Sequence, residues 1–300
     1  MRAVQFDEYG DPDVLHLTEV PEPHAGPGEV RIKVEGAAIN PIDWKFRSGM
    51  LKDVAPIDLP SIPGSDASGV VDEVGEGVSG VAVGDRVFGQ GSHVTAEYAV
   101  LRAFAGVPTP LTTVEAAAIP MPAETAARVL DLLDLHPGAL VVIDGAAGGV
   151  GTSAVQLAVA RGYTVVGTAS EANQEYLREL GAIPTTYGEG LADRVHALVD
   201  QPVAGGIDLV GHGAVPDLVA LTGDPQRVVT IADYGAAEKH GVQLTTGGSA
   251  FYALGEVAKL VEDGTFRVEV AEVIPWTEAA RAHALSQAGH VRGKLVLAVD

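Results

Sequence analysis

The sequence contains no cysteine, and that absence removes disulfides, thiolate nucleophiles, iron–sulfur clusters and cysteine-ligated zinc. Basic residues are scarce: 19 lysines and arginines stand against 40 aspartates and glutamates, a formal net charge of −21. A chain so acidic repels phosphate backbones and anionic lipid, so neither nucleic acid nor a membrane surface is expected as a partner. No uninterrupted apolar run approaches the ~20 residues of a membrane helix. The opening MRAVQFDEYGDPDV lacks the basic, apolar and small-residue succession of a secretory signal, so the expected location is the cytoplasm. The histidines are scattered, with no two at a metal-binding helix spacing, so no metal site is expected.

What is present is a folding composition, 47% hydrophobic and 20% charged. At 300 residues the chain exceeds the size at which one core usually stops growing, so two domains sharing a cleft are expected. From Ala3 to about Val107 short β-type runs such as EVRIKVEGAAI, ASGVVDEVG and AEYAV are broken by Gly and Pro. GEVRIKVEG and GVVDEVGEGV alternate apolar and charged residues, as strands with one wet face do. Near Leu111 the texture changes. A run starting at Thr113 carries a Thr cap, Ala123 to Leu133 has helical spacing, and from Ala139 buried strands alternate with helices. The strands are ALVVID, YTVVGTA, IDLV and Gln226 to Ala232, and the helices Val150 to Arg161, Gln174 to Leu180 and Leu191 to Val199. Apolar strands separated by helices indicate a parallel sheet covered on both faces. Strand signals return in RVEVAEVIP and KLVLAV, with a helix between Thr277 and Ala288. The expectation is an α/β chain with a β-rich domain over 1–112, completed by 265–300, and a doubly wound domain over 113–264.

The most specific local signal is Val141-Val142-Ile143-Asp144-Gly145-Ala146-Ala147-Gly148-Gly149-Val150-Gly151-Thr152, a buried strand entering a small-residue turn that opens a helix. Ala146, Gly148 and Gly151 occupy the three positions of the dinucleotide fingerprint. A bare backbone at Gly148 lets the loop approach a pyrophosphate, Gly151 lets helix and strand pack closely, and the amides of Gly149, Val150 and Gly151 offer donors to phosphate. The strand after the loop ends in Thr168-Ala169-Ser170, with no terminal carboxylate for the ribose hydroxyls of NAD. Ser170 and Asn173 are candidate partners of a 2′-phosphate, so NADPH is the expected cofactor. Against it stand Glu171, which follows at once, and Arg178, the nearest basic residue, further into the helix. Ala232, closing the last strand of the series, is counted with the cofactor-contacting positions.

Ala38-Ile39-Asn40-Pro41-Ile42-Asp43-Trp44-Lys45 with Arg47-Ser48-Gly49 resembles the signature of zinc-independent quinone oxidoreductases in the medium-chain dehydrogenase/reductase superfamily. The resemblance continues through Pro63-Gly64-Ser65-Asp66-Ala67-Ser68-Gly69, Val83-Gly84-Asp85-Arg86-Val87-Phe88-Gly89, Ala96-Glu97-Tyr98, the AAGGVG loop, Leu180-Gly181-Ala182 and Gly289-His290-Val291-Arg292-Gly293-Lys294. It implies a GroES-like β-barrel beside a Rossmann domain, NADPH use and a homodimer. It also implies that the zinc-dependent branch would carry Cys in place of Asn40 and a His-Glu pair at about Ser65-Asp66. Without that Lewis acid, hydride addition to an acceptor already activated, such as a quinone or conjugated enone, remains open.

Under the resemblance Asn40 faces the reacting ligands and hydrogen-bonds the nicotinamide ribose or the substrate oxygen; the alternative is an Asn that caps the turn before Pro41. Lys45 either stabilises a developing enolate or is a solvated surface lysine. Thr125 lies under the nicotinamide or is an ordinary helix hydroxyl, and Lys294 lies near the cofactor. Asp43 and Asp66 read as turn aspartates that satisfy backbone amides. The expected function is NADPH-dependent reduction of a small-molecule quinone or enone. An enoyl reductase and a non-catalytic NADPH sensor stand as alternatives.

Overall fold

The structure is a computed structural model, and it describes residues 1–248 and 250–300. A first unit takes in residues 1–121 and 254–300, and a second takes in 122–253. The chain begins with paired antiparallel strands β1 (Arg2–Gln5) and β2 (His16–Glu19) and continues through β3 (Val30–Ile39), α1 (Pro41–Arg47), β4 (Asp66–Val74), β5 (Arg86–Ser92), β6 (Tyr98–Gly106) and α2 (Thr113–Ala116). The second unit contains most of α3 (Pro120–Leu133), then β7 (Leu140–Asp144), α4 (Gly149–Ala160), β8 (Thr164–Thr168), α5 (Gln174–Glu179), β9 (Ile183–Thr185) and α6 (Leu191–Leu198). It ends with β10 (Val203–Asp208), α7 (Val215–Thr222), β11 (Val228–Thr230), α8 (Tyr234–His240) and β12 (Gln243–Leu244). The chain closes with α9 (Ala253–Glu262), β13 (Val270–Pro275), α10 (Ala279–Ala288) and β14 (Lys294–Ala298).

The period-2 pattern of β3 drives the first unit. Val30, Ile32 and Val34 are buried while Arg31 and Lys33 alternate outward, and from Gly36 to Ile39 the strand is buried without a break. Among the described residues the sheet order is β13-β14-β3-β4-β5-β6. A further β3–β6 pairing closes β3 to β6 on themselves, the GroES-like barrel the resemblance implies. The last strand, β14, lies against β3, with Leu295 opposite Ile39.

In the second unit every pairing is parallel and the order is β12-β11-β10-β7-β8-β9. Numbered from β7, this is the doubly wound Rossmann order with its direction reversing between β7 and β10, and ligands of such sheets bind outside the carboxyl ends at that reversal. Asp144 ends β7 and Asp208 ends β10, paired in register.

Several elements differ from the sequence expectation for visible reasons. The segment after Asn40, to which the sequence expectation gave no element beyond a turn at Pro41, is a helix: Pro41 takes its first position, and the Asn40 N–H donates to the Asp43 carboxylate at 2.7 Å. The cap of α2 is Thr112, not Thr113; its Oγ1 accepts from the Glu115 N–H at 3.2 Å and its own N–H donates to Glu115 at 2.9 Å. Strand β10 stops at Asp208, short of Leu209 and Val210, because the Asp208 carboxylate takes the Val210 and Gly211 amides and turns the chain. Residues 113–121 belong to the first unit, since Ala117 and Ala118 are buried with Ala38 and Val296. The unit boundaries therefore stand at 121/122 and 253/254, against the expected 112/113 and 264/265. No helix among the described residues is long and apolar enough to cross a membrane.

One polar pair lies inside the first unit's packing. His283 of α10 is fully buried, and neither ring nitrogen has a partner among the described residues. Burial, then the Arg47 guanidinium, pushes its pKa down to about 3. Arg47, also fully buried, donates to the Gly10 carbonyl at 2.9 Å and to Gln287 at 2.7 Å. A histidine whose folded pKa is depressed costs stability as pH falls from its unfolded value, about 6.5, toward about 3. Thermal unfolding between pH 7 and pH 4 is therefore expected to show an acid-side loss that His283→Leu reduces; equal pH slopes in both chains would contradict this account.

Candidate functional site

The glycine-rich turn is built by close backbone packing. Gly145 sits at φ +81°, a conformation costly for other residues, and a Cβ there would meet Val210 Cγ2 at 2.2 Å. This true glycine, rather than Ala146, makes the sharp exit from β7; Ala146 is fully buried. A Cβ on Gly151 would lie 2.1 Å from the Gly145 carbonyl oxygen and 2.6 Å from the Ala146 carbonyl carbon, so helix α4 can press on the turn only without a side chain. Gly148 is different. Its φ is −75°, and a Cβ there would meet only the Gly145 oxygen, at an ordinary 3.5 Å. Protein packing therefore does not require a glycine at 148, whereas close approach by a ligand does. The first-turn amides of α4, at Gly149, Val150 and Gly151, have no acceptors within the helix and point to its positive end. This arrangement fits a dinucleotide pyrophosphate.

Around the turn, hydroxyls and carboxylates tie the strand ends together. The Gly145 N–H donates to Thr168 Oγ1 at 3.1 Å, and that hydroxyl donates to the Asp144 carboxylate. Asp208 accepts from the Val210 N–H at 3.1 Å, the Gly211 N–H at 2.8 Å and Thr230 Oγ1 at 2.8 Å. Ala232 packs where Gly211 leaves room: a Cβ on Gly211 would lie 3.1 Å from it. At the end of β8, Asn173 Nδ2 donates to Ser170 Oγ at 3.3 Å, so the two residues proposed for a 2′-phosphate share one turn. Gln174, not singled out in the sequence, fixes that turn by donating to the Ala169 carbonyl at 2.9 Å and the Thr185 carbonyl at 3.0 Å. Arg178 is exposed and bonded to Glu175 at 2.8 Å. Thr125, buried on α3, accepts from Arg128 at 3.4 Å, and Arg128 forms a buried pair with Glu124 at 2.9 Å.

The first unit holds a second polar centre, where β3, α1, β4 and β14 meet. Asn40 is 3% exposed; its Nδ2 donates to Asp66 at 3.0 Å and its Oδ1 accepts from Lys294 Nζ. An anion on one side and a cation on the other fix which way the amide points. Lys294 also donates to the Ile39 carbonyl at 2.6 Å. Asp66 accepts from Gln90 at 3.2 Å and from the Met121 N–H at 3.0 Å as well. Burial pushes both carboxyls up: Asp66 is raised against the opposition of Lys294, Asn40, Met121 and Gln90, and Asp43 is pushed up to about 7 against the Asn40 N–H and Lys294, with Asp66 adding to the rise. Two carboxyls thus face one ammonium, and the Asp43 pKa lies near neutrality. Burial lowers the Lys294 pKa, and Asp66 and Asp43 oppose that shift.

Asn40 is therefore neither free nor a simple cap, and Asp66 is a hub for side chains rather than a turn residue. Lys45 stands apart from this cluster, half-buried on α1 with its ammonium 5.8 Å from the Trp44 ring. Gln90, the Met121 amide and the Asp144–Thr168 contact were not singled out in the sequence, because their meaning depends on strand register. Among the described residues no three His, Cys, Asp or Glu side chains form a metal-binding group.

The profile described as "Alcohol dehydrogenase GroES-like domain" matches residues 26–128, and "Zinc-binding dehydrogenase" matches 184–297. A chloroplast envelope quinone oxidoreductase homolog of Arabidopsis thaliana is 32% identical, over 99% of this chain and 98% of its own. The solved quinone oxidoreductase of Coxiella burnetii superposes with a TM-score of 0.85 at 33% identity, covering 100% of this chain and 99% of the other. A mycobacterial protein solved in complex with NADPH gives a TM-score of 0.84 at 29% identity, with 100% of both chains covered.

Two outcomes are expected from these geometries. Gly148→Leu should unfold within a few degrees of the parent yet lose dinucleotide affinity by titration calorimetry, whereas Gly151→Ala should lose roughly 1–3 kcal/mol of stability, as overpacking does; the opposite ranking of the two melting temperatures would refute the packing assignment. For Asp43 the folded pKa is raised to about 7 above an unfolded value of 3.8, so its stabilising contribution is present below pH ~4 and is lost as pH rises toward 7. Asp43→Asn should therefore be more stable than the parent at pH 8, and the advantage should vanish near pH 4 in denaturant titrations.

Proposed function

This chain belongs to the medium-chain dehydrogenase/reductase superfamily, as a zinc-independent member similar to quinone oxidoreductases, and from that premise we propose that it reduces a quinone or conjugated enone with NADPH. The observation that carries the reading is the turn at 145–151, where Gly145 and Gly151 are required by the protein's own packing and Gly148 is not. When bound, a reduced nicotinamide supplies a hydride to the electrophilic carbon of the acceptor, and solvent or a hydroxyl supplies the balancing proton.

The chain's residues bind and orient. Backbone amides of Gly149, Val150 and Gly151 hold the phosphates, Ser170 and Asn173 take the 2′-phosphate in place of an acidic ribose partner, and Ala232 and Thr125 line the cofactor. Asn40 hydrogen-bonds the substrate oxygen or the nicotinamide ribose, and Asp66 and Lys294 position it by fixing its amide. Lys294 Nζ is committed to Asn40 and the Ile39 carbonyl, so its part in cofactor binding runs through Asn40. Lys45 is the cation available to a developing enolate. Such a site works by orientation and electrostatics on an acceptor that is already electrophilic. The proposal includes a cytoplasmic homodimer, for which sedimentation velocity should give twice the chain mass of 30.8 kDa.

The test is optical: oxidation of NADPH and NADH against quinones, enones, aldehydes and enoyl thioesters. Turnover is expected with NADPH in preference to NADH and with a quinone or enone. Preference for an enoyl thioester would move the assignment to a biosynthetic enoyl reductase, and tight NADPH binding without turnover on any acceptor would leave a sensor.

A further inference from the structure

We propose that Asp144 links dinucleotide binding to proton uptake, taking a proton when phosphates settle on the turn that follows it. The proposal rests on reading that turn as a dinucleotide site.

Asp144 is the last residue of β7, 4% exposed, and it directly precedes Gly145. Its carboxylate is joined to the turn through one hydroxyl: Gly145 N–H donates to Thr168 Oγ1, which donates to Asp144 Oδ1. On the neighbouring strand Asp208 is fully buried and stands in register with it. The two aspartates differ in what they receive. Asp208 takes two backbone amides and the Thr230 hydroxyl, a donor set that suits a charged carboxylate. Asp144 takes the single hydroxyl of Thr168. Two anions on adjacent strands repel, so the one that receives fewer hydrogen bonds, Asp144, is the one that accepts a proton.

The charged and polar groups facing Asp144 can be named from each side. From β8 comes Thr168; from β10 and the turn after it come Asp208 and His212; from α4 comes the positive helix end above Gly148. Burial raises the Asp144 pKa most and Asp208 adds to that, while Thr168 and His212 oppose it. A pyrophosphate held by the α4 amides brings further negative charge to the same end of the sheet. It is then bound more readily when Asp144 is neutral.

The experiment is NADPH binding by calorimetry from pH 5 to pH 8.5, in paired buffers of different ionisation heat, on the parent and Asp144→Asn. The parent Kd is expected to weaken with rising pH, by at most about tenfold per unit for one coupled proton, with up to one proton taken up on binding. Asp144→Asn should bind several-fold more tightly than the parent at pH 8 and show a flatter profile. NADH, which lacks the 2′-phosphate, should retain the difference between the two chains, and so should a His212→Gln background. Identical pH profiles and proton counts for parent and variant would overturn the proposal. Should Asp144→Asn fail to fold, His212→Gln binding NADH decides: proton uptake supports the proposal and none overturns it. Absence of NADPH binding by the parent at every pH would instead overturn the dinucleotide reading, and this proposal with it.

Discussion

The first unit depends on one buried ammonium. Lys294, at the start of the last strand, reaches the Ile39 carbonyl and the Asn40 amide, 254 residues earlier in the chain, and its charge faces Asp66 and Asp43. Burying ions is expensive, and breaking such a group by removing one partner costs more than the group itself contributes to stability. What the cluster supplies is definition: Asn40 can point only one way, α1 starts at a fixed place because Asp43 accepts the Asn40 N–H, and β14 has one register on β3.

The second unit is organised by contact of another kind, backbone against backbone. The Gly145 oxygen lies where a side chain on Gly151 would be, and this brings the first turn of α4 over the reversal between β7 and β10. The amides there owe their direction to the helix, and the helix owes its position to two missing side chains. Asp144, Thr168, Asp208 and Thr230 then give the strand ends internal partners, so that the polar floor beneath the turn is held rigidly.

Much of this was legible in the sequence. The strand–glycine–helix run, the alternation in GEVRIKVEG and the β–α succession after Ala139 encode local periodicities, and each lies where expected to within a few residues. The elements not anticipated have physical reasons. Helix α1 was hidden because its Pro41 reads as a turn residue until the Asp43 carboxylate is seen capping it. The Asp66 hub was hidden because its partners come from positions 40, 90 and 121, a grouping set by strand register alone. His283 carried no signal at all: a histidine in a small-residue helix announces neither burial nor the neighbouring Arg47.

The placement of β14 also sets an order of assembly. Every strand and helix of the second sheet comes from one continuous stretch, which can close as soon as it has been synthesised, whereas the first sheet lacks β13 and β14 until the second unit has been made. Until Lys294 arrives, Asp43 and Asp66 lack the ammonium they face in the folded unit. The residue that completes the ionic balance follows the whole second unit in the chain, so the docking of β14 on β3 and the meeting of these charges are one step, separate from the β3–β6 closure.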